Sequence, residues 1–245
     1  IVVTGKGIEV LKNLEKTDYI INYFDKEGNP TEKPAMTMPI PEGMTAETVV
    51  NKYFEAIGGK DKVMAVKTKM TLAKATIQGT PIVMTTKAAE PNKTSLVISV
   101  MGNTMQKMVF NGENGYQEAR GQKIDMQPAQ IAEAKASNTL FSDLHYNAGE
   151  LLRIEPIEGE NAIVLKYNDT EIFYDMASGL KIKEVKITKT PDGKEGKTPT
   201  NFSDYKEVSG ILFPHTISTK MGPIDLNLTV KEIKVNEGVS DADFE

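Results

Sequence analysis

From about residue 66 onward, hydrophobic side chains recur at every second position with mostly polar neighbours between them. Ile82 and Met84; Leu96, Ile98 and Val100; Ile163, Leu165 and Tyr167; Ile172, Tyr174 and Met176; and Ile224, Leu226, Leu228 and Val230 each form such a run. A period of two predicts strands with one apolar face, because successive side chains of an extended chain point to opposite sides. Short turn sequences separate the runs, among them QGTP (78–81), EPNK (90–93), MGNT (101–104), NGENG (111–115) and VSG (208–210), and such short connections imply an antiparallel meander. In LKIKEVKI the apolar face slips from Leu180 and Ile182 to Val185 and Ile187, and a second slip follows Val230 at Ile233 and Val235. Both predict β-bulges.

Two segments follow a helical period instead. Thr45 is a good N-cap for a helix whose Val49, Val50, Tyr53, Phe54 and Ile57 recur at intervals of three and four, and Gly58-Gly59 supplies a left-handed exit. In QPAQIAEAKASNTLF (127–141), Pro128 occupies a plausible first helical position ahead of an alanine-rich body, so a second helix is expected inside the run of strands. Nine or more strands with a single apolar face cannot form a flat open sheet, which would leave that face in water. The sheet must curl. The expected fold is therefore mainly β (α+β): a strongly curved antiparallel half-barrel with two or more helices plugging its concave side, over residues 45–245. Ahead of it, IVVTG, the amphipathic Ile8, Leu11 and Leu14, and YIINYFD predict a short β-α-β segment over 1–34, and the proline-rich 35–44 an extended linker.

Composition narrows the chemistry. The 245 residues include no cysteine, which excludes disulfides, thiolate metal sites and cysteine nucleophiles. The net charge is −5, and all but two of the 29 basic residues, Arg120 and Arg153, are lysine, which argues against a broad nucleic-acid surface. No apolar stretch approaches the roughly 20 residues of a membrane helix, and no signal peptide is visible. The two histidines, His145 and His215, lack metal-ligand spacing, and His215 shares a strand face with Phe213 and Ile217, where a hydrogen-bonded core histidine is expected. Gly196-Lys197-Thr198 imitates the end of a phosphate loop, but Pro191 stands where a glycine is needed and Pro199 where a helix should begin. Gly5-Lys6-Gly7 fails too, since Glu9 in the first turn would repel phosphate. The acidic pairs Glu158/Glu160 and Asp241/Asp243 read as solvated. No catalytic group, cofactor or metal is expected.

Methionine stands out: of twelve, Met64, Met70, Met84, Met101, Met105, Met108 and Met126 fall in one early stretch of the sheet. Such flexible side chains either fill ordinary core gaps or line an adaptable apolar cavity. On the second reading the candidate lining is Ile82, Met84, Leu96, Ile98, Val100, Met108, Phe213, Ile217, Leu226 and Leu228, though the pattern does not fix which strand faces point inward.

The segments AETVVNKYFEAIGGKDKV (46–63), SDYKEVSGILFPHTISTKMG (203–222) and VNEGVSDADFE (235–245) resemble the LolA/LolB-like outer-membrane lipoprotein-sorting family, over about residues 44–245. The resemblance implies an incomplete antiparallel barrel closed by helices around a hydrophobic cavity for lipid or acyl chains, in the periplasm or at the outer membrane. The opening IVVTGKGIEVLKNLEKTDYIINYFDKEGNP is similar to the tail of an insulinase/pitrilysin-type zinc peptidase (about residues 1–34), a kind of enzyme that Bacteroidetes proteins can join to a lipoprotein-sorting-like domain. Its inverted zinc motif is absent from this chain. Together with the start at Ile1, the two resemblances imply a non-catalytic C-terminal part of a longer zinc-peptidase-like polypeptide. Its expected partner is a lipid, a lipoprotein acyl chain or an apolar peptide, with association to the peptidase domain and no nucleic acid. The alternative expectation is a structural or protein-docking module that positions the peptidase and takes no small ligand.

Overall fold

The computed structural model describes residues 23–24, 30–31, 37–137, 139–189, 195–222 and 224–245. The peptidase-like resemblance and the β-α-β expectation over 1–34 lie outside the described residues, apart from β1 (Tyr23–Phe24) pairing antiparallel with β2 (Pro30–Thr31). Of the linker, Met38 forms one antiparallel bridge to Ile154 through its amide, 2.7 Å from the Ile154 carbonyl oxygen.

Thirteen antiparallel strands make one sheet. In chain order they are β3 (Thr68–Ile77), β4 (Thr80–Ala89), β5 (Lys93–Val100), β6 (Asn103–Phe110), β7 (Gly115–Ala119), β8 (Gln122–Asp125), β9 (Glu150–Ile157), β10 (Glu160–Tyr167), β11 (Thr170–Asp175), β12 (Lys181–Lys189), β13 (Glu195–Val208), β14 (Ile211–Met221) and β15 (Ile224–Val235). The chain meanders from β3 out to the edge strand β8, restarts at the opposite edge with β9, and meanders back until β15 pairs with β3. The sheet stays unclosed, with β8 and β9 as its rims. Both rims are blunted against further pairing: β8 is four exposed residues, two of them charged, and β9 carries Pro156.

Both foreseen slips are bulges. Ile182 is unmatched between the pairs Tyr174–Lys181 and Phe173–Lys183, and Lys231 between Val230–Ala73 and Glu232–Leu72. Two more register shifts, between Val164 and Leu165 and between Ile98 and Ser99, have no signature in the hydrophobic pattern.

Helix α1 (Ala46–Ala56) starts at Thr45, whose side chain accepts from the Thr48 amide at 3.2 Å, and buries Val49, Val50, Tyr53 and Phe54. This stripe and Ile57 pack on Ile154, Ile163, Leu165, Ile172, Tyr174, Ile211 and Phe213, forming the main core between helix and sheet. Fully burying each large side chain contributes roughly 1.5–3 kcal/mol. After a short α2 (Lys60–Met64), the chain enters β3. Helix α3 (Pro128–Ser137) begins at Pro128, as expected, and a 3-10 helix follows over Ser142–Ala148. The opposite face of the sheet is also covered in two places: Ala162, Val164, Phe173 and Val185 form a buried cluster, and Phe244 of the C-terminal turn packs on Val109 and Tyr116. There the acidic pair Asp241 and Asp243 is not simply solvated. Asp241 pairs with Lys93 at 2.7 Å and Asp243 with Lys87 at 2.5 Å, latching the C-terminus to β4 and β5. Among the described residues no helix is long and apolar enough to cross a membrane.

The glycine exit of α1 is a docking point as well as a turn. Gly58 has φ +120°, a Cβ there would collide with the Gly210 carbonyl oxygen, and the neighbouring Ile57 carbonyl accepts from the Leu212 amide at 2.8 Å. Left-handed strain and backbone overlap act together at this position. Gly58→Ala is expected to cost at least about 2 kcal/mol, read as a lower midpoint in urea unfolding; a midpoint equal to the parent's would show that the helix exit can be re-routed.

Candidate functional site

Cross-strand pairing lays the inner face out in rows. Ala75, Ile82 and Val100 form one row; Val230, Ala73, Met84 and Ile98 the next; then Thr71, Thr86, Leu96 and Met108; and last Val235, Lys69, Ala88, Thr94 and Phe110. On the adjoining strands Leu228 pairs with Ile217 and Leu226 with Thr219. Of the ten candidate lining residues, Ile82, Leu226 and Leu228 are buried in one apolar strip, with Met84, Val100 and Ile217 packed against it. Ile98 sits opposite Met84 and is half-buried. Leu96 and Met108 face a separate hollow of about 480 Å³ closed from above by Gln130, Glu133 and Ala134 of α3. Phe213 belongs to the core under α1 and lines a third place, described below.

The methionine grouping does not hold as a unit. Met108 and Met126 line the hollow under α3, and Met64 lines another of about 440 Å³. Met70 is buried on the opposite face, where it pairs with Lys87, and Met101 is 82% exposed in the β5–β6 turn.

Because β8 and β9 are opposite rims but consecutive in the chain, residues 126–149 must span the mouth of the curved sheet. Glu133 of α3 lies 3.4 Å from Lys186 of β12, while its neighbours Gln130 and Ala134 face β5 and β6 on the other side. The helix rests lightly: of residues 128–136 only Ile131 and Ala134 are even half-buried. The 3-10 helix beyond it is held far more firmly. Between the two, Thr139, Leu140 and Phe141 pass through the concavity and form a wall common to the 440 Å³ hollow and a third hollow of about 330 Å³.

The third hollow has an apolar side and a charged end. Tyr53, Leu140, Phe141, Phe202, Tyr205, Leu212, Phe213 and Ile217 line it together with Lys69, Asp143, Lys181 and Glu184. Phe202 and Tyr205 both reach it, although three residues apart on β13, because Asp204 between them has a left-handed backbone (φ +54°) that breaks the alternation. Lys181 donates to Asp143 and to Glu184, each at 2.8 Å. Tyr174 donates to the other oxygen of Asp143 at 2.8 Å, Tyr146 reaches Glu184 at 3.3 Å, and Tyr205 donates to the Lys181 carbonyl at 2.6 Å. The Lys181 ammonium also lies 5.2 Å from the centre of the Phe202 ring. Asp143 and Lys181 are both buried.

Desolvation by itself would lower Lys181, but Asp143, then Tyr53 and Glu184, outweigh it and hold its pKa well above the ordinary lysine value. Burial, then the Asp143 charge, pushes Tyr53 and Tyr174 well up. Lys69 goes the other way: burial first, then repulsion by Lys181, bring it down to about 8. It donates to the Leu140 carbonyl at 3.0 Å and sits 5.0 Å from the Phe141 ring centre and 5.8 Å from that of Phe213. The histidines stand apart from this cluster. His145 lines the 440 Å³ hollow, and the Nδ1 of half-buried His215 lies 2.9 Å from the Phe213 carbonyl oxygen.

The charged end is what reading the sequence missed. In a chain whose basic residues are nearly all lysine, Lys69 and Lys181 carry no mark of their own, and Lys181 opens a strand whose polar positions read as solvated. Asp143 lies just after the expected helix, with nothing in SDLHY to show that it turns inward.

Comparison with known proteins finds no matching family model and no matching curated protein. Solved structures do match. A LolA-superfamily protein from Nitrosomonas europaea superposes with a TM-score of 0.55 at 13% identity, over 83% of this chain and 98% of that one. An outer-membrane lipoprotein-sorting protein domain from Vibrio parahaemolyticus gives 0.55 at 13% identity, over 82% and 97%. At this identity the likeness shows the fold: a mainly β, curved and unclosed antiparallel sheet of the LolA type, as the sequence predicts.

Two outcomes follow from the cluster. Lys181→Met leaves Asp143 buried without its cation and is expected to cost roughly 3 kcal/mol, much of it recovered when Asp143→Leu is added; equilibrium urea unfolding of both variants checks this. Lys69 adds a pH signature. Below about pH 8 its folded and unfolded forms are both protonated and its burial penalty is fully present; above that, up to its unfolded value of 10.5, the unfolded chain holds a proton that the folded chain has released, so stability rises with pH. The tyrosines act only above about pH 10. Between pH 8 and 10 the parent should therefore gain stability relative to Lys69→Met, and parallel pH profiles for the two would contradict the assignment.

Proposed function

We propose that the inner face binds the acyl chain of a lipid or lipoprotein, or a comparable apolar ligand such as a hydrophobic peptide, and that this chain acts as a non-catalytic carrier domain. The observation that carries the reading is the apolar strip of Ile82, Met84, Val100, Ile217, Leu226 and Leu228 on a curved sheet, which meets the hollow of about 330 Å³ at Ile217, with further hollows of about 440 and 480 Å³ elsewhere under the crossing segment. These volumes fall in the roughly 300–1,000 Å³ range of small-molecule sites. A lightly seated helix across the mouth is compatible with entry. The fold shared with a lipoprotein-sorting domain supports the same reading and, with it, a place in the cell envelope. Attachment to a zinc-peptidase domain is part of the proposal and rests on the resemblance of residues 1–34 alone.

The driving force would be apolar burial at about 25 cal/mol per Å², or about 0.8 kcal/mol per methylene. Affinity for saturated fatty acids, measured by displacement of a fluorescent fatty acid from delipidated protein, is therefore expected to rise about fourfold per added carbon until the strip is filled. Met84→Lys and Ile98→Lys should each weaken it at least tenfold. Absence of saturable binding by a folded parent chain would sink the carrier reading in favour of a docking module whose concavity is filled by its own side chains.

A further inference from the structure

Lys69 projects into the 330 Å³ hollow without a carboxylate partner among the described residues. An ammonium has three donors, and among the described residues the one hydrogen-bond acceptor of Lys69 is the Leu140 carbonyl at 3.0 Å, with the Phe141 and Phe213 ring centres 5.0 and 5.8 Å away. The two acids nearby are already engaged: Asp143 by Lys181 and Tyr174, and Glu184 by Lys181 and Tyr146. Lys69 feels both Lys181, which repels it, and Asp143, which attracts it, the repulsion being the larger of the two. With a pKa brought by burial to about 8, it is still mostly charged at neutral pH. A half-buried cation that lacks a carboxylate partner among the described residues is a ready position for an anion.

The surroundings say which anion. Ile217 lines this hollow and also packs against the apolar strip of Leu228 and its neighbours, so the charged end and the apolar face are contiguous. A ligand joining them must be amphiphilic. We infer that Lys69 is the head-group anchor of the cavity, and that its ligand is an acyl chain ending in a singly charged oxyanion, the carboxylate of a free fatty acid or the phosphodiester of a lysophospholipid. A doubly charged head would add repulsion from Asp143 and Glu184, which line the same hollow. The inference rests on the acyl-binding reading above and names the chemistry of its polar end.

The test compares palmitate, palmitoyl-lysophosphatidylglycerol and uncharged hexadecanol as displacers of a fluorescent fatty acid at pH 7. On the parent chain, at least one of the two anions should bind at least tenfold tighter than the alcohol, the tighter of them identifying the source of the oxyanion. Lys69→Met should bring that anion-to-alcohol ratio to about one, and Lys69→Arg should keep most of it. If the parent binds anions and alcohol equally, or if the ratio is the same in Lys69→Met, the anchor is wrong while the acyl-binding reading stands. If none of the three binds, the acyl-binding reading fails and the anchor with it.

Discussion

The ion pair of Asp143 with Lys181, 2.8 Å and buried at both ends, ties the 3-10 helix to the sheet on the way from rim β8 to rim β9. The two rims β8 and β9 share no hydrogen bonds, and the segment that joins them has to cross open space. Leu140, Phe141 and Tyr146 seat it in the core under α1, and the ion pair adds a polar contact at one point. The pair and the Tyr174 hydroxyl pin the 3-10 helix to the wall formed by β11 and β12, and that pin sets where Leu140 and Phe141 pass. Their position in turn separates the 330 Å³ hollow from its 440 Å³ neighbour. A buried pair of this kind adds little net stability, because desolvation offsets most of the attraction. It supplies a directional contact beside the apolar packing of Leu140, Phe141 and Tyr146.

The same crossing explains why the molecule is a half-barrel with two unlike halves. The half from β9 to β14 is filled by α1, whose apolar stripe contributes several side chains to one continuous core. Among the described residues the half from β3 to β6 and β15 has no comparable helix. There the small residues Ala73 and Ala75 and the bulge at Lys231 let the sheet bend so that Ile82, Leu226, Leu228 and Val230 shield one another. The result is an apolar strip whose central side chains are buried.

The hydrophobic pattern made the strands, α1 with its cap and exit, the start of α3, two of the bulges and the need to curl legible, because each is a local consequence of side-chain period and turn chemistry. The same logic put all ten candidate lining residues on the sheet, and the strip of Ile82, Met84, Val100, Ile217, Leu226 and Leu228 is one surface. What it could not divide was that set from Leu96 and Met108, which lie under α3, because a helix placed by long-range topology leaves no trace in the period of the strand beneath it. Lys69, Asp143 and Lys181 were invisible for a related reason. They come from β3, the 3-10 helix and β12, and a charge is recognisable as buried only once its partners are in place.

The two ends of the crossing segment are held with very different strength. On the α3 side only Ile131 and Ala134 of residues 128–136 are half-buried, and the ion pair of Glu133 with Lys186 has mostly exposed members, at 69% and 61%. Such pairs contribute about 0–1 kcal/mol, and a helix of this length gains little stability of its own in water. On the other side Tyr146 is buried in the α1 core and Asp143 is held by Lys181 and Tyr174. Leu96 and Met108 therefore lie under the more shallowly packed end of the segment, and Leu140 and Phe141 beside the deeply packed one.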